Sequence, residues 1–327
     1  MKTRKIPIVI VLASAFCVCG PVFSQNVTVN QIYDGTKNFA RAMAEALPLN
    51  ASLGLNWSDA YIGKLIDRPP HFGIGASAGF TTVNADAVHD ILGYFGVMLP
   101  ASLNDFIPLP AYTGELRLGG FGIPFDIGFK AGYLPSLELG QGTELRYFQI
   151  GGDFRYGILQ DRGPIPGLSA GFGAYHLSGR IGADLPNQRL QLRGAEILIN
   201  NSRGDFTWQS TTLELKAQIS KKLFIITPYL GFGANYAWTS AGFEVKGNVT
   251  SGNDESFILG ALSGEGISGI KYEKGKELSS AIKTSGLGFR VFGGFALNIL
   301  AVKIDLTGMA DPFRKIFGGS VGLRFQL

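Results

Sequence analysis

The residues that could do chemistry are few, and their spacing argues against catalysis. Gly167-Leu168-Ser169-Ala170-Gly171 fits the G-x-S-x-G pattern. In hydrolases that pattern sits on a sharp strand-to-helix elbow that exposes the serine. Here it opens an alternating apolar/polar run with no helical pattern behind it. His176 has the opposite parity to Ser169, so the two side chains point to opposite faces of a strand. The other histidines are His71, which follows Pro70 at a strand start, and His89, on a helical pattern beside Asp90. Adjacent helical residues point in different directions and make a poor chelate. Gly231 and Gly233 lie mid-run, where they give space rather than cradle a phosphate. Both cysteines, Cys17 and Cys19, fall in the N-terminal apolar stretch, so the rest of the chain holds no disulfide, thiolate nucleophile or Cys-metal site. No catalytic residue, metal site or cofactor is expected, and the chain does not read as an enzyme.

The remaining chemistry-bearing residues are charges on the polar faces of alternating runs: Glu115, Arg117, Asp126, Lys130, Asp153, Arg155, Glu214, Lys216, Arg290, Lys303, Asp305 and Arg324. Both signs occur, often two residues apart. If these runs close into a barrel, the charges line its lumen. They then form either a constriction that filters solutes or a network of pairs that fills a narrow barrel, because buried charges need partners. Paired filling is favoured at this barrel size.

The elements that must position them are strands. Gly accounts for 46 of 327 residues and Phe for 24, aromatics are 12% and charged residues only 17%. That charge content is below the roughly 25% usual for soluble domains. Beyond the N-terminal stretch no segment holds the roughly 20 apolar residues of a membrane-spanning helix. A transmembrane strand instead alternates a lipid face with a lumen face over about 9–11 residues. In Leu223–Trp238, Phe224, Ile226, Leu230, Phe232, Ala234, Tyr236 and Trp238 share one face, with Thr227, Gly231, Gly233 and Asn235 among the residues opposite. Pro228 inside this run marks a candidate bulge. Similar alternation covers 125–133, 148–158, 213–220, 287–298 and 300–307, and more weakly Ala51–Trp57, His71–Val83, Tyr112–Gly119 and Leu168–Ser178. Gln188–Ile199 and Gly242–Val249 are further candidates. The expected fold is all-β, an antiparallel transmembrane β-barrel of about 12 strands, within 10–14. Trp57, Tyr133, Tyr156, Tyr175, Trp208, Tyr229, Tyr236 and Trp238 lie near strand ends, as expected of aromatics at a lipid–water boundary.

Connections are tight at Ser220–Lys222, Asn298–Leu300 and Gly119–Pro124, and long and polar at Gly182–Asp205 and Ala241–Lys283. Short turns on one side and long outward loops on the other fit an outer-membrane barrel. Two helical patterns interrupt the strands. Phe39, Ala42, Met43 and Leu47 share one face of Thr36–Leu47, read as a leader packed on the barrel rim, with a plug or periplasmic stub as the other reading. Residues 84–99 carry Val88, Ile91, Leu92, Phe95 and Met98 at helical spacing, with Asn84 as an N-cap, in the lumen or beside the rim.

At the N-terminus, Lys2, Arg4 and Lys5 precede an apolar stretch, Ile6–Val18, and Val22-Phe23-Ser24 suits cleavage after Ser24. This is the layout of a secretory signal peptide. Removing it lowers the net charge from +4 by three, to +1, so the apparent basicity is a targeting feature and no nucleic-acid partner is expected. The domain reading is 1–24 signal peptide, 25–48 helical leader and 49–327 barrel, with an internal helix at 84–99 and a long external loop at 241–283.

The last eight residues, Ser-Val-Gly-Leu-Arg-Phe-Gln-Leu, resemble the C-terminal assembly signal of bacterial outer-membrane barrels, with Ser320, Gly322, Phe325 and Leu327 in its slots. The last residue of that signal is usually aromatic, and Leu327 departs from it. The resemblance implies handling by the barrel-assembly machinery and residence in the outer-membrane lipid of a diderm bacterium. More loosely, Leu53-Gly54-Leu55-Asn56-Trp57 and Arg68-Pro69-Pro70-His71-Phe72-Gly73 resemble a group of spirochaete and Bacteroidetes outer-membrane barrels, with a distant likeness to the long-chain fatty-acid transporter type. That transporter type has a longer chain and an N-terminal hatch, and none of its transport residues carries over. The expected function is a porin-like channel or transporter for small molecules, apolar ones included. The alternative is a surface-exposed binding or adhesin-type barrel, and a membrane-embedded hydrolase is a distant third. Ligand and oligomeric state are not legible.

Overall fold

The computed structural model describes residues 27–65, 70–87, 89, 105–140, 143–185, 187–192, 195–264, 270–274 and 276–327. The strands are β1 (Val27–Thr28), β2 (Phe72–Asn84), β3 (Phe106–Gly119), β4 (Phe125–Gly140), β5 (Thr143–Leu159), β6 (Gly167–Leu185), β7 (Gln188–Leu192), β8 (Ala195–Ser220), β9 (Ile226–Ser251), β10 (Ile270–Glu273), β11 (Glu277–Ile299), β12 (Val302–Asp311) and β13 (Ile316–Gln326). Two helices are α1 (Val29–Ala51) and α2 (Glu255–Gly264).

Ten strands form a closed antiparallel ring, in the order β2-β3-β4-β5-β6-β8-β9-β11-β12-β13, and β13 pairs back onto β2 from Gly318↔Thr81 to Gln326↔Gly73. Closure leaves no sheet edge facing lipid, where each unpaired backbone group would cost several kcal/mol. β7 and β10 pair with β8 and β11 outside the ring, and β1 pairs parallel with β7. The ring therefore has ten strands rather than about twelve. The surplus has two sources. The alternation at 188–199 and 242–249 belongs to β7 and to extensions of β8 and β9, and Ala51–Trp57 forms no strand.

The ring is inside-out relative to a soluble barrel. Along β9, Phe232 is 59% and Trp238 49% exposed, while Thr227 and Asn235 are buried. Tyr133, Tyr156, Tyr236 and Trp238 face outward, whereas Tyr175, Trp208 and Tyr229 have the other parity and are buried in the lumen, together with Trp57. Phe292 and Ala296 also turn inward and are buried. Leu223–Ile225 are turn rather than strand: Leu223 and Ile226 exchange backbone bonds of 2.7 and 2.8 Å, and Phe224 caps the turn with φ 47°. Pro228 lies one residue beyond the last β8–β9 pair, Ser220↔Tyr229, so the register runs on without a bulge.

The wall is uneven. β12 and β13 have 10 and 11 residues, whereas β8 and β9 have 26 each and β11 has 23. At about 3.4 Å per residue and a tilt of about 40°, that is about 30 Å of height on one side and about 65 Å on the other. Most of the expected loops 182–205 and 241–283 is thus tall sheet, with α2 between β9 and β10. The 84–99 helix falls almost entirely outside the described residues; Asn84 ends β2, and its Oδ1 accepts a bond from Asp86 N at 2.8 Å.

The inward faces give a labelling test, since the only cysteines in the chain are Cys17 and Cys19. Cysteines placed at Phe232 and Tyr236 should react with a lipid-soluble maleimide. Those at Thr227 and Asn235 should resist both that reagent and a water-soluble one, because both positions are buried in a filled lumen. Fast labelling of Thr227→Cys by the water-soluble reagent would mean that the lumen is wet and open.

Candidate functional site in the lumen

The N-terminal segment fills the barrel. Thr28 opens α1 with a capping box: its Oγ1 accepts from Gln31 N at 3.2 Å, and Gln31 Oε1 accepts from Thr28 N at 2.8 Å. Phe39, Met43 and Leu47 lie on the buried face, as the helical spacing indicates. That face packs not on the rim but on the inward side of the tall strands, in one apolar cluster with Phe206, Phe243, Val245 and Leu278. Phe39 stacks edge-on to Phe206 at 5.6 Å between ring centroids. The tall wall offers a concave apolar surface that a rim does not, which is why the leader lies inside.

Below α1, residues 52–62 pass down the lumen as an irregular strand-like segment whose backbone is bonded by wall side chains. Lys130 Nζ donates to Ala51 O at 2.6 Å and to Leu53 O, and Gln149 Nε2 donates to Ala51 O at 2.8 Å. Gly54 and Leu55 turn the chain at φ 80° and 58°. This strained turn aims Leu55 N–H at Glu115 Oε2 (2.9 Å), which also accepts from Trp57 Nε1 at 2.6 Å. Arg117 donates to Leu55 O, Gln218 to Trp57 O and Ser58 O, and Arg155 to Asp59 O. Asp305 accepts from Ser58 N, Ser220 Oγ from Ala60 N and Asp126 from Ile62 N. The segment thus satisfies its backbone without a ladder. Ala51–Trp57 alternates like a strand because it is apolar and polar in turn, yet every side it meets is wall.

All twelve charges singled out above are buried and face inward. Glu115 and Lys130 bond the plug backbone, and the other ten fall into three groups. Arg117 pairs with Asp126 (2.5 Å) and Asp153 (2.7 Å), Arg155 with Asp126 (2.8 Å) and Lys216 with Asp153 (2.5 Å). Arg290 grips Glu214 through Nε and Nη2, and donates from Nη1 to Asn56 Oδ1 at 3.1 Å. Arg324 pairs with Asp305 (2.7 Å), and both Arg324 and Lys303 reach Asp59 (3.0 and 2.7 Å). With Asp59 of the plug, seven cations face six anions. Glycine makes the room: a Cβ on Gly128 would sit 2.3 Å from Asp153 Oδ1 and 2.7 Å from Arg117 Nη2. Such groups are costly to desolvate and persist only with nearly every lone pair and proton used.

Asp59, Ser58, Gln149 and Gln218 add polar contacts to the lumen and are not among the charges singled out from the sequence, although Gln149 and Gln218 lie on polar faces of alternating runs. The neutral ones carry no charge signature, and Asp59 lies outside any alternating run. A cavity of about 20 Å³ remains between Trp57 and the wall residues Ser77, Glu115, Asp305 and Arg324, room for one water. Of the C-terminal residues, Ser320 and Gly322 border that cavity, while Phe325 and Leu327 face outward, and Leu327 N donates to Phe72 O at 3.0 Å where the ring closes. Ser169 is buried inward and His176 bonds Thr211 Oγ1 (2.9 Å) on the outer face, so they share no site. Among the described residues no three His, Cys, Asp or Glu are placed to hold a metal, and no helix is long and apolar enough to cross a membrane.

An apolar belt around a charged, filled lumen, closed without an edge, defines a transmembrane β-barrel of the outer-membrane kind. Residues 69–327 match the Family of unknown function (DUF6588), and the chain belongs to that family. No curated protein matches by sequence. Similar solved structures include the outer membrane protease OmpT of Escherichia coli, at 10% identity over 79% of this chain and 97% of that one, TM-score 0.41. The translocator domain of the autotransporter NalP of Neisseria meningitidis is similar at 10% identity over 86% and 92%, TM-score 0.37. The toluene transporter TodX of Pseudomonas putida is similar at 7% identity over 94% and 99%, TM-score 0.27.

Proposed function

We propose that the protein is an outer-membrane barrel of a diderm bacterium, sealed at rest, that acts at its cell-surface end as a binding surface rather than as an open pore. The segment 1–24 would export it, and the barrel-assembly machinery would read Ser320, Gly322, Phe325 and Leu327. The observation that carries the reading is the plug: a backbone run from Ala51 to Ile62 held by wall side chains, with a residual cavity of about 20 Å³. Solute passage needs a continuous aqueous lumen, and the bonded plug stands across it among the described residues. The tall strands β8, β9 and β11, with α1 inside them, raise a surface well beyond the roughly 25 Å apolar band. In the channel or transporter reading, for small or apolar molecules, the plug would have to leave.

Tight turns mark the periplasmic end. Val27 and Thr28 pair with Leu190 and Gln191 at the opposite end, so the described chain starts outside and threads inward. Two measurements test the proposal. Full-length protein in planar bilayers should give no conductance steps, and an epitope inserted between Asn26 and Val27 should bind antibody on intact cells. Stable steps from the full-length protein would support passage instead. An epitope reached only after permeabilisation would reverse the threading.

A further inference from the structure

The outer face above the apolar belt carries a cluster that the lumen account does not use. On β5 the belt runs outward from Ile158 through Tyr156, Ile150 and Phe148, all exposed. Ten residues at about 3.4 Å and a tilt of about 40° span about 26 Å, the height of an outer-membrane apolar band. The next residue on that face is Arg146, roughly 5 Å further out by the same geometry, at headgroup depth.

Register places Arg146 directly opposite Arg180 of β6. Like charges opposite one another in an antiparallel pair repel, with Cβ atoms about 4.5–5.5 Å apart. One row further out, Glu144 and Asp205 flank Gly182, and Arg203 lies beyond them opposite Asp184. Glu144 accepts from Arg146 Nη2 (2.8 Å) and Arg203 Nη2 (2.6 Å), and Asp205 accepts from Arg180 Nη2 and from Arg203 Nε (3.4 Å). Arg146 also donates from Nε to Ser136 Oγ at 3.0 Å. Both acids therefore hold the arginine pair from the extracellular side. The membrane side has only neutral groups: Ser178 and Gln209 in the next row, then His176 bonded to Thr211. Tyr133, 68% exposed, and Phe148 stand beside them at the belt's upper edge. The Arg146 side chain is 56% exposed and that of Arg180 33%.

We propose that Arg146 and Arg180 clamp a phosphate of a phosphorylated lipid headgroup in the outer leaflet. Guanidinium forks suit phosphate oxygens, and a phosphate between the two relieves their repulsion. The lipid is chosen over a free anion because the slot opens toward the apolar belt, where acyl chains would lie on Phe148, Ile150 and Tyr133. The inference rests on the membrane-barrel reading but not on the sealed lumen, and its test does not involve conductance.

The test is native mass spectrometry of the full folded chain in detergent with added bisphosphorylated lipid A. The parent should retain the lipid, and Arg146→Gln/Arg180→Gln should retain it at least about tenfold less, as expected for lost charge-assisted bonds. Lys246→Gln, a charge change above the site, should retain it like the parent. Heat-modifiable gel mobility checks that each variant is folded. If the double variant does not fold, Arg146→Gln alone should show reduced retention. Equal retention by the folded arginine variant overturns the site, as does equal retention of dephosphorylated lipid A. Displacement of the lipid by equimolar inorganic phosphate would also overturn it, in favour of a free-anion pocket.

Discussion

A barrel carrying Arg290→Met should unfold about 3–5 kcal/mol more easily than the parent, the usual cost of stranding one member of a buried ion pair. Arg290 is fully buried and is the cation that grips Glu214 through two nitrogens. Without it, Glu214 keeps a single 3.3 Å bond from Tyr175 Oη, too little to hold a carboxylate out of water. The substitution also leaves Asn56 of the plug without the donor at 3.1 Å on its Oδ1. Adding Glu214→Leu to the same chain should recover most of the loss, because two apolar side chains of similar volume replace the pair without a stranded charge. Denaturant midpoints of the parent, Arg290→Met, Glu214→Leu and the double variant, followed by the heat-modifiable gel shift, complete the cycle. Equal losses in the single and double variants would place the stabilisation in packing rather than in the pair.

Deleting residues 29–62 should turn a silent barrel into a conducting one. The ring strands pair with one another without the deleted segment, and β13 pairs directly with β2. What the deletion removes is the occupant of the lumen, α1 in its upper half and the bonded backbone below. Six of the seven wall cations and three of the five wall anions would lose plug contacts, and water would take over the groups that bonded Ala51, Leu53, Leu55 and Trp57. A lumen lined by interspersed charges of both signs should pass small ions with little selectivity. The expected record is discrete steps from the deletion variant and none from the parent at matched insertion. A folded deletion variant that stays silent would show that the wall side chains alone close the barrel.

Much of the wall was legible because lipid and lumen impose opposite polarity on successive residues. Phe232, Tyr236 and Trp238 read as outward and Thr227, Gly231 and Asn235 as inward, and the structure places them so. The same logic failed where a different environment wrote the same pattern. Leu53-Gly54-Leu55-Asn56-Trp57 alternates, but it lies against wall on all sides and takes a left-handed turn at Gly54 and Leu55 instead of extending. Proximity to strand ends marks Tyr175, Trp208 and Tyr229 as boundary aromatics, yet parity alone sends them inward. The tall sheet was missed because above the membrane both faces of β8 and β9 lose the lipid constraint. Asp205 and Glu244 then stand outward, where the belt below has Leu213 and Phe232, and the polar composition resembles a loop. For the site, spacing placed the twelve charges on one face. It could not show that the N-terminal backbone is what several of them hold, because hydrogen-bonding a main chain requires no particular residue in it.

The N-terminal segment runs inside the lumen, and a disulfide between it and the wall would fix that placement. An ideal Cβ on Gly167 lies 3.6 Å from Ala60 Cβ, within the 3.5–4.5 Å of natural disulfides, with Ala60 in the plug and Gly167 at the start of β6. A reference pair, Ser77→Cys with Gly322→Cys, spans the closing seam between β2 and β13, where the corresponding separation is 3.7 Å. Ala60→Cys/Gly167→Cys should close a cross-link as completely as the seam pair. It should be read from the mobility of unreduced, denatured protein in membranes prepared from intact cells. If the seam pair forms and the Ala60–Gly167 pair leaves two free thiols in folded barrels, the segment is not in the lumen and the sealed barrel is contradicted.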